Sequence, residues 1–167
     1  LMAVIREYAQ DRSRRRPLNI IMQAEPGSGK SHFIKCLAGK MSQEGVSEVT
    51  FNMASFRGVD DFAQPLEAVR NLKVVDKLPL LFLDEFDSSQ TNYPLLLPLL
   101  WDGELSVGHS KLRTGKVVIM LAGSGVQIGD AMKNSKGMQA ANVAGAGKLT
   151  DLLSRVNGGE LTIPGLD

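Results

Sequence analysis

The sequence predicts an α/β fold, a parallel sheet covered on both faces by helices, and three observations carry this. Apolar runs of strand length alternate with segments of helical period along most of the chain. That is the pattern of parallel strands joined by crossover helices. Two of the runs, Pro79 to Leu83 and Val117 to Ala122, are apolar throughout, as strands buried on both faces are. The 167 residues, 43% hydrophobic and 22% charged, suffice for one domain with a substantial core.

The elements follow in order. Met2 to Gln10 reads as a short amphipathic helix with Ile5 and Tyr8 apolar among charges. Asp11 to Arg16, D-R-S-R-R-R, holds four arginines. It reads either as a solvated turn before a buried strand, the commoner case, or as an anion or nucleic-acid patch. Leu18 to Ala24 is strand one. Ser31 to Met41 is a helix in which Phe33, Ile34, Leu37 and Ala38 share a face. Cys36, the single cysteine, has no partner for an internal disulfide and is expected on that apolar face as a small core residue. Glu48 to Met53 is strand two. Phe62 to Val75 is a helix carrying Phe62, Leu66, Val69 and Leu72.

Strand three is Pro79 to Leu83. Tyr93 to Trp101 is a short helix. Pro94 suits its first turn, whereas Pro98 implies that the helix starts late or bends. Strand four is Val117 to Ala122. Ser124 to Lys148, rich in Gly, Ala, Asn and Lys, has no sustained apolar period. A loop this long in a compact domain is usually functional or mobile. Thr150 to Val156 is a short helix and Glu160 to Ile163 a last strand. No internal repeat is visible.

The net charge of +1 gives no general electrostatic case for nucleic-acid or membrane binding. No apolar run approaches the ~20 residues needed to span a bilayer, and no signal-peptide pattern is present. A cytoplasmic setting is expected. The start at Leu1-Met2 reads as that of a fragment.

Two motifs carry chemistry. Ala24 to Ser31 reads A-E-P-G-S-G-K-S and joins strand one to the following helix. Gly27 and Gly29 permit backbone conformations closed to other residues and a close approach to a phosphate. The loop and helix start, Glu25, Pro26, Gly27, Ser28, Gly29, Lys30, Ser31 and His32, are the candidate nucleotide-binding residues, with backbone N–H groups pointing inward to cup the anion. Lys30 adds a point charge at the β/γ-phosphates, and the Ser31 hydroxyl is a ligand for Mg²⁺. His32 follows in the helix, whose N-terminal dipole end points at the same spot. Ala24 stands where the usual pattern has its first glycine; at a strand end, Ala is the smallest alternative with a Cβ. A plain Gly/Pro turn remains the bland alternative.

The second motif is L-L-F-L-D-E, Leu80 to Glu85. It carries Asp84 and Glu85 to the carboxyl edge of the sheet, where ligands bind in open α/β folds. Asp84 is the candidate to hold the metal ion, directly or through water. Glu85 is the candidate to orient and activate an attacking water. Alone, such a pair also fits a solvated helix start. Both motifs in this order, each ending a buried strand, favour the nucleotide reading.

At this point the chain resembles the AAA+ ATPases along nearly all its length. The matching pieces are A-E-P-G-S-G-K-S at 24–31, L-L-F-L-D-E at 80–85, V-V-I-M-L-A-G-S at 117–124 and D-L-L-S-R-V at 151–156. The resemblance implies a P-loop three-layer sandwich whose five parallel strands run in the order 5-1-4-3-2. It implies ATP and Mg²⁺ as ligands, ATP hydrolysis coupled to work on a macromolecule, and assembly into a ring, commonly a hexamer. It puts Ser124 at the sensor 1 position, although Asn or Thr is more usual there and a bland loop serine is an equal alternative. It makes Arg155 the match for an arginine finger acting on the neighbouring subunit's ATP; the alternative is an exposed helix-end arginine. It also implies a helical lid after strand five, which is not in the residues up to Asp167. Phe56 lies where many members carry a pore loop, but reads better as a core contact.

Two other classes compete. A nucleotide-dependent switch or scaffold would bind ATP and barely hydrolyse it. Among other loop NTPases, a GTPase would need an N-K-x-D motif, which is absent, and a small-molecule kinase an arginine-rich lid between helices. Nothing in the sequence names the macromolecular substrate.

Overall fold

Alternate residues of the three central strands face opposite sides of one sheet, and each side has its own core. The computed structural model describes residues 1–25, 27–123 and 151–163. Helix α1 is Met2–Gln10, followed by β1 Leu18–Ala24, α2 Lys30–Lys40, β2 Val46–Asn52, α3 Ala63–Val74 and β3 Leu78–Asp84. Next come α4 Tyr93–Asp102, a hairpin of β4 Glu104–Val107 and β5 Ser110–Arg113, then β6 Val118–Gly123 and β7 Glu160–Ile163. The five parallel strands lie in the order β2-β3-β6-β1-β7. Counting these five alone, the order is the expected 5-1-4-3-2.

On one face Ile20, Met22, Leu80, Phe82, Val118 and Met120 pack with Ile5 and Tyr8 of α1 and Ile34 and Leu37 of α2. On the other Ile21, Leu81, Leu83, Ile119 and Leu121 pack with Leu66 and Val69 of α3 and Leu96, Leu99 and Leu100 of α4. The alternation follows from the period of two along a strand. It explains why these runs are apolar throughout: neither face meets water.

Three expectations need correction or adjustment. Cys36 is exposed rather than in the core. The buried residues of α2 are Ile34, Leu37 and Ala38, and a residue two places after Ile34 is rotated about 200° from it. Helix α4 does not start late. It runs from Tyr93 through Pro98 to Asp102, with Pro94 in its first turn, so the N–H that Pro98 lacks would have faced the carbonyl of Pro94. Strand two starts earlier than expected, at Val46, which is buried. Phe56 packs edge-to-face on Phe62, with centroids 5.0 Å apart, and lies against the second core. No helix among the described residues is long and apolar enough to cross a membrane.

Candidate functional site

The sheet register brings the two motifs to one edge. Leu83 of β3 and Ile21 of β1 both pair with Leu121 of the intervening β6. Asp84, the end of β3, is therefore level with Met22, two residues before the end of β1 at Ala24, and two strand spacings, roughly 10 Å, from it. The loop leaves β1 at Ala24, and Asp84 closes β3. Lys30, the first residue of α2, bridges the gap: its Nζ lies 3.0 Å from Asp84 Oδ1, with the two side chains 13% and 14% exposed.

The loop itself is held by few bonds. The Ser28 N–H donates to the Glu25 carbonyl at 3.1 Å, and the Phe33 N–H to the Gly29 carbonyl at 2.9 Å. Gly27 and Gly29 have φ of 75° and 82°, the left-handed region that disfavours a Cβ. A Cβ on either would meet no atom of the described residues within 4 Å. Ser28 Oγ is buried without a hydrogen-bond partner, a hydroxyl that a phosphate oxygen would satisfy. Ser31 is exposed in the first turn of α2. His32 Nε2 lies 3.4 Å from Cys36 Sγ, one turn along the helix.

Beyond Asp84 the backbone turns sharply. Glu85 has φ 53° and ψ 39°, an outlier for a side-chain-bearing residue that costs about 1–2 kcal/mol. The turn lets the Glu85 N–H donate to Asp84 Oδ1 at 2.8 Å. Asp84 thus accepts from its neighbour's backbone and from Lys30 at the same oxygen. Removing Lys30 would leave a mostly buried carboxylate unpaired.

The donor set suits a hard cation. The Ser31 hydroxyl and the Asp84 carboxylate are oxygen ligands of the kind Mg²⁺ prefers. Among the described residues no cluster of three or more His, Cys, Asp or Glu is placed to hold a metal. Mg²⁺ typically takes one or two protein ligands and completes its shell with water and phosphate oxygens.

The remaining candidates lie elsewhere. Pro26 and Ser124 fall outside the described residues; Gly123, immediately before Ser124, pairs with Gln23 of β1. Arg155 sits at the opposite edge of the sheet. Its carbonyl accepts from Asn19 Nδ2 at 3.0 Å, and Asn19 is the second residue of β1. Its guanidinium stacks on Trp101, 4.1 Å from the ring centroid. Sequence reasoning missed Trp101 and Asn19 altogether, because no local pattern links them to Arg155.

Residues 20–97 match the model of the ATPase family associated with various cellular activities (AAA). No curated protein matches the sequence. Among solved structures, the S. cerevisiae Hsp104-ADP complex aligns with a TM-score of 0.59 and 12% identity, over 94% of this chain and 31% of that chain. A closed state of Hsp104 with ATPγS and FITC casein aligns with a TM-score of 0.58 and 15% identity, over 89% of this chain and 29% of that one. The chain therefore spans about a third of the length of these structures, and at such identities the likeness is one of fold.

Proposed function

We propose that the chain is a member of the AAA+ ATPase superfamily, as the match of residues 20–97 to the AAA family model supports, and that it is an Mg-dependent ATPase module whose hydrolysis drives work on a macromolecule. The observation that carries this reading is the Lys30–Asp84 pair at 3.0 Å, set beside a glycine-rich loop whose Gly27 and Gly29 meet none of the other described residues. When nucleotide enters, Lys30 exchanges Asp84 for phosphate oxygens, and the exposed N–H groups at the start of α2 face the same anion. That exchange frees Asp84, with Ser31, to hold Mg²⁺. Held there by Ser31 and Asp84, the ion would supply positive charge against the phosphates.

Glu85 is the group for the attacking water. The turn at Glu85 takes its side chain out of the alternation of β3, beside Asp84 but off the core. As general base it accepts a proton from water lined up on the γ-phosphate. Ser124, next in sequence after the end of β6, is assigned to sense that phosphate. Arg155 cannot reach its own loop from the far edge, and is assigned to the nucleotide of a neighbouring subunit in an assembled ring.

The test is binding followed by turnover. A fluorescent ATP analogue titrated with Mg²⁺ should bind the chain saturably, and Lys30→Ala, which removes the loop's only cation, should show no detectable binding. Equal affinities would sink the loop assignment. Steady-state phosphate release then separates an enzyme from a switch: binding without release would identify a nucleotide-dependent scaffold instead.

A further inference from the structure

The arginine run Asp11 to Arg16 enters β1 at the amino-terminal edge, a strand length of roughly 20 Å from the phosphate loop. A solvated turn would leave its backbone to water. Here Lys116 Nζ donates to the Asp11 carbonyl at 2.7 Å, the Tyr8 hydroxyl to the Arg16 carbonyl at 2.8 Å and Asn157 Nδ2 to the Pro17 carbonyl at 3.2 Å. The Arg14 N–H donates to the Asp11 carbonyl at 3.3 Å. These bonds come from α1 and from the segments before β6 and β7, so the run is fixed at both ends.

Its charges are held in place but not neutralised. Arg14 Cζ lies 5.1 Å from the ring centroid of Tyr8, and Arg16 Cζ 4.7 Å from that of Trp101. A guanidinium over a ring uses its face, and the N–H groups of its edge stay free. Among the described residues Arg12, Arg14, Arg15 and Arg16 form no ion pair; the pairs are Arg6–Glu44, Lys30–Asp84 and Glu104 with Lys111 and Arg113. Asp11, the one acid of the run, is engaged locally: its Oδ1 accepts from the Ser13 N–H at 3.0 Å and from the Ser13 hydroxyl. Arg14, Arg15 and Arg16, with Ser13 and Asn157, line a groove of about 410 Å³. A net charge of +1 therefore conceals a local concentration of positive charge with its donors unspent.

Three forks in a row suit a chain of phosphates, each of which accepts from a guanidinium edge two bonds at a time. Unpaired bases stack on aromatic rings and on guanidinium planes. Trp101, 45% exposed next to Arg16, offers ring and plane together. An acidic peptide would bring the charge but has no use for that surface. The fixed backbone lowers the ordering cost of binding.

We propose that this groove binds the phosphate backbone of a single nucleic-acid strand through Arg14, Arg15 and Arg16. Sequence preference should be weak. Asn157 carries the groove's one side-chain amide, and its Oδ1 and Nδ2 are already spent on the Asn19 N–H and the Pro17 carbonyl. The site is separate from the phosphate loop and does not rest on the nucleotide reading of it.

The test is a titration of fluorescein-labelled oligothymidylate with the chain, followed by anisotropy. A saturable rise is expected, weakening with salt. Arg15→Gln with Arg16→Gln should raise the half-saturation concentration about tenfold or more. The salt slope should drop by roughly 0.7 for each arginine removed. Arg15 and Arg16 are exposed, so their replacement leaves the core intact. Arg70→Gln, an exposed arginine of α3, should leave the curve in place, and so should Lys30→Ala, which removes the loop's cation. No saturable rise, or the same curve in the double variant, overturns the site. An equal loss in Arg70→Gln reduces it to bulk charge, and a loss in Lys30→Ala moves the strand to the loop; either overturns it. An abasic strand of the same length should bind about tenfold more weakly, the worth of one stacked base. Polyglutamate of matched charge should compete no better than the abasic strand. Equal binding by either would make the groove a site for polyanions at large and overturn the nucleic-acid assignment. None of these arms needs ATP, so their failure is distinct from failure of the ATPase reading.

Discussion

At the amino-terminal edge of the sheet, side chains from distant parts of the chain close the strand ends; at the carboxyl edge the described residues form no comparable network. The Tyr8 hydroxyl donates to the Arg16 carbonyl at 2.8 Å and accepts from the Val117 N–H at 3.0 Å. Burial, the larger influence, pushes its phenol up to about 12 against the lowering effect of the Val117 N–H and the Arg14 charge. Lys116 Nζ donates to the carbonyls of Ala9 and Asp11 at 3.3 and 2.7 Å, tying down the end of α1. Asn19 Nδ2 reaches the carbonyls of Leu100 and Arg155, and Asn157 ties the backbone of Asn19 and Pro17. Among the described residues the carboxyl edge instead has the Lys30–Asp84 ion pair, an unpartnered Ser28 hydroxyl and a Glu85 at positive φ. Hydrogen bonds between distant segments are concentrated at one edge and backbone strain at the other, while unpartnered buried atoms occur at both: Asn19 Oδ1 and Arg155 Nε at the amino-terminal edge, Ser28 Oγ at the carboxyl edge. Ligand sites in open sheets lie at the carboxyl edge, and backbone strain such as that at Glu85 gathers at functional sites.

The comparison breaks most visibly if a carboxyl-edge substitution unfolds the protein. Glu85→Gln preserves shape and cannot take a proton from water. Phosphate release should fall by about 10²–10⁴-fold, the contribution of a well-placed general base. The analogue's affinity should be retained, and the denaturant midpoint should stay within ~0.5 kcal/mol of the parent. Wild-type turnover in this variant would remove Glu85 from the mechanism. A large loss of stability would show that the carboxyl edge also holds the fold.

The converse applies to Asn19→Ala. Asn19 is 1% exposed, and its amide satisfies two carbonyls at 2.7 and 3.0 Å. Removing it leaves both acceptors buried, at a cost of about 2–3 kcal/mol. Urea unfolding should show this while the ATP analogue binds as before. Weakened binding in the folded variant would mean that the two edges are coupled.

The same division explains what the sequence made legible. The loop and the end of β3 are contiguous motifs, each following a buried strand, and the strand order brings Lys30 to Asp84. Helix α1 and strands β1 and β7 lie within their expected bounds because periodicity or alternation is written in their own few residues. The amino-terminal network has no local trace: Asn19 finds partners at Leu100, Arg155 and Asn157. The β4–β5 hairpin escaped notice because its strands are four residues each and mostly not buried. Its one signal is the Gly108-His109 turn between alternating residues. Cys36 was misplaced by assigning it to the apolar stripe, from which the helical period rotates it away.

The smallest expected effect tests the strain itself. Glu85 holds φ 53°, a conformation that Asn tolerates better than Glu because its short polar side chain bonds locally to the backbone. Glu85→Asn should therefore be more stable than Glu85→Gln by up to ~1 kcal/mol, the order of the strain at such a site. Both lack the carboxylate, so both should be poor at phosphate release, and loss of charge cancels between them. What remains is the backbone preference of the side chain. The two midpoints in urea, measured without nucleotide, give the difference directly. A higher midpoint for Asn would show that the carboxyl edge gives up stability to aim Glu85. A midpoint for Asn at or below that of Gln would mean that the turn after β3 carries no strain that a side chain can relieve, and the contrast between the edges would then rest on hydrogen bonding alone.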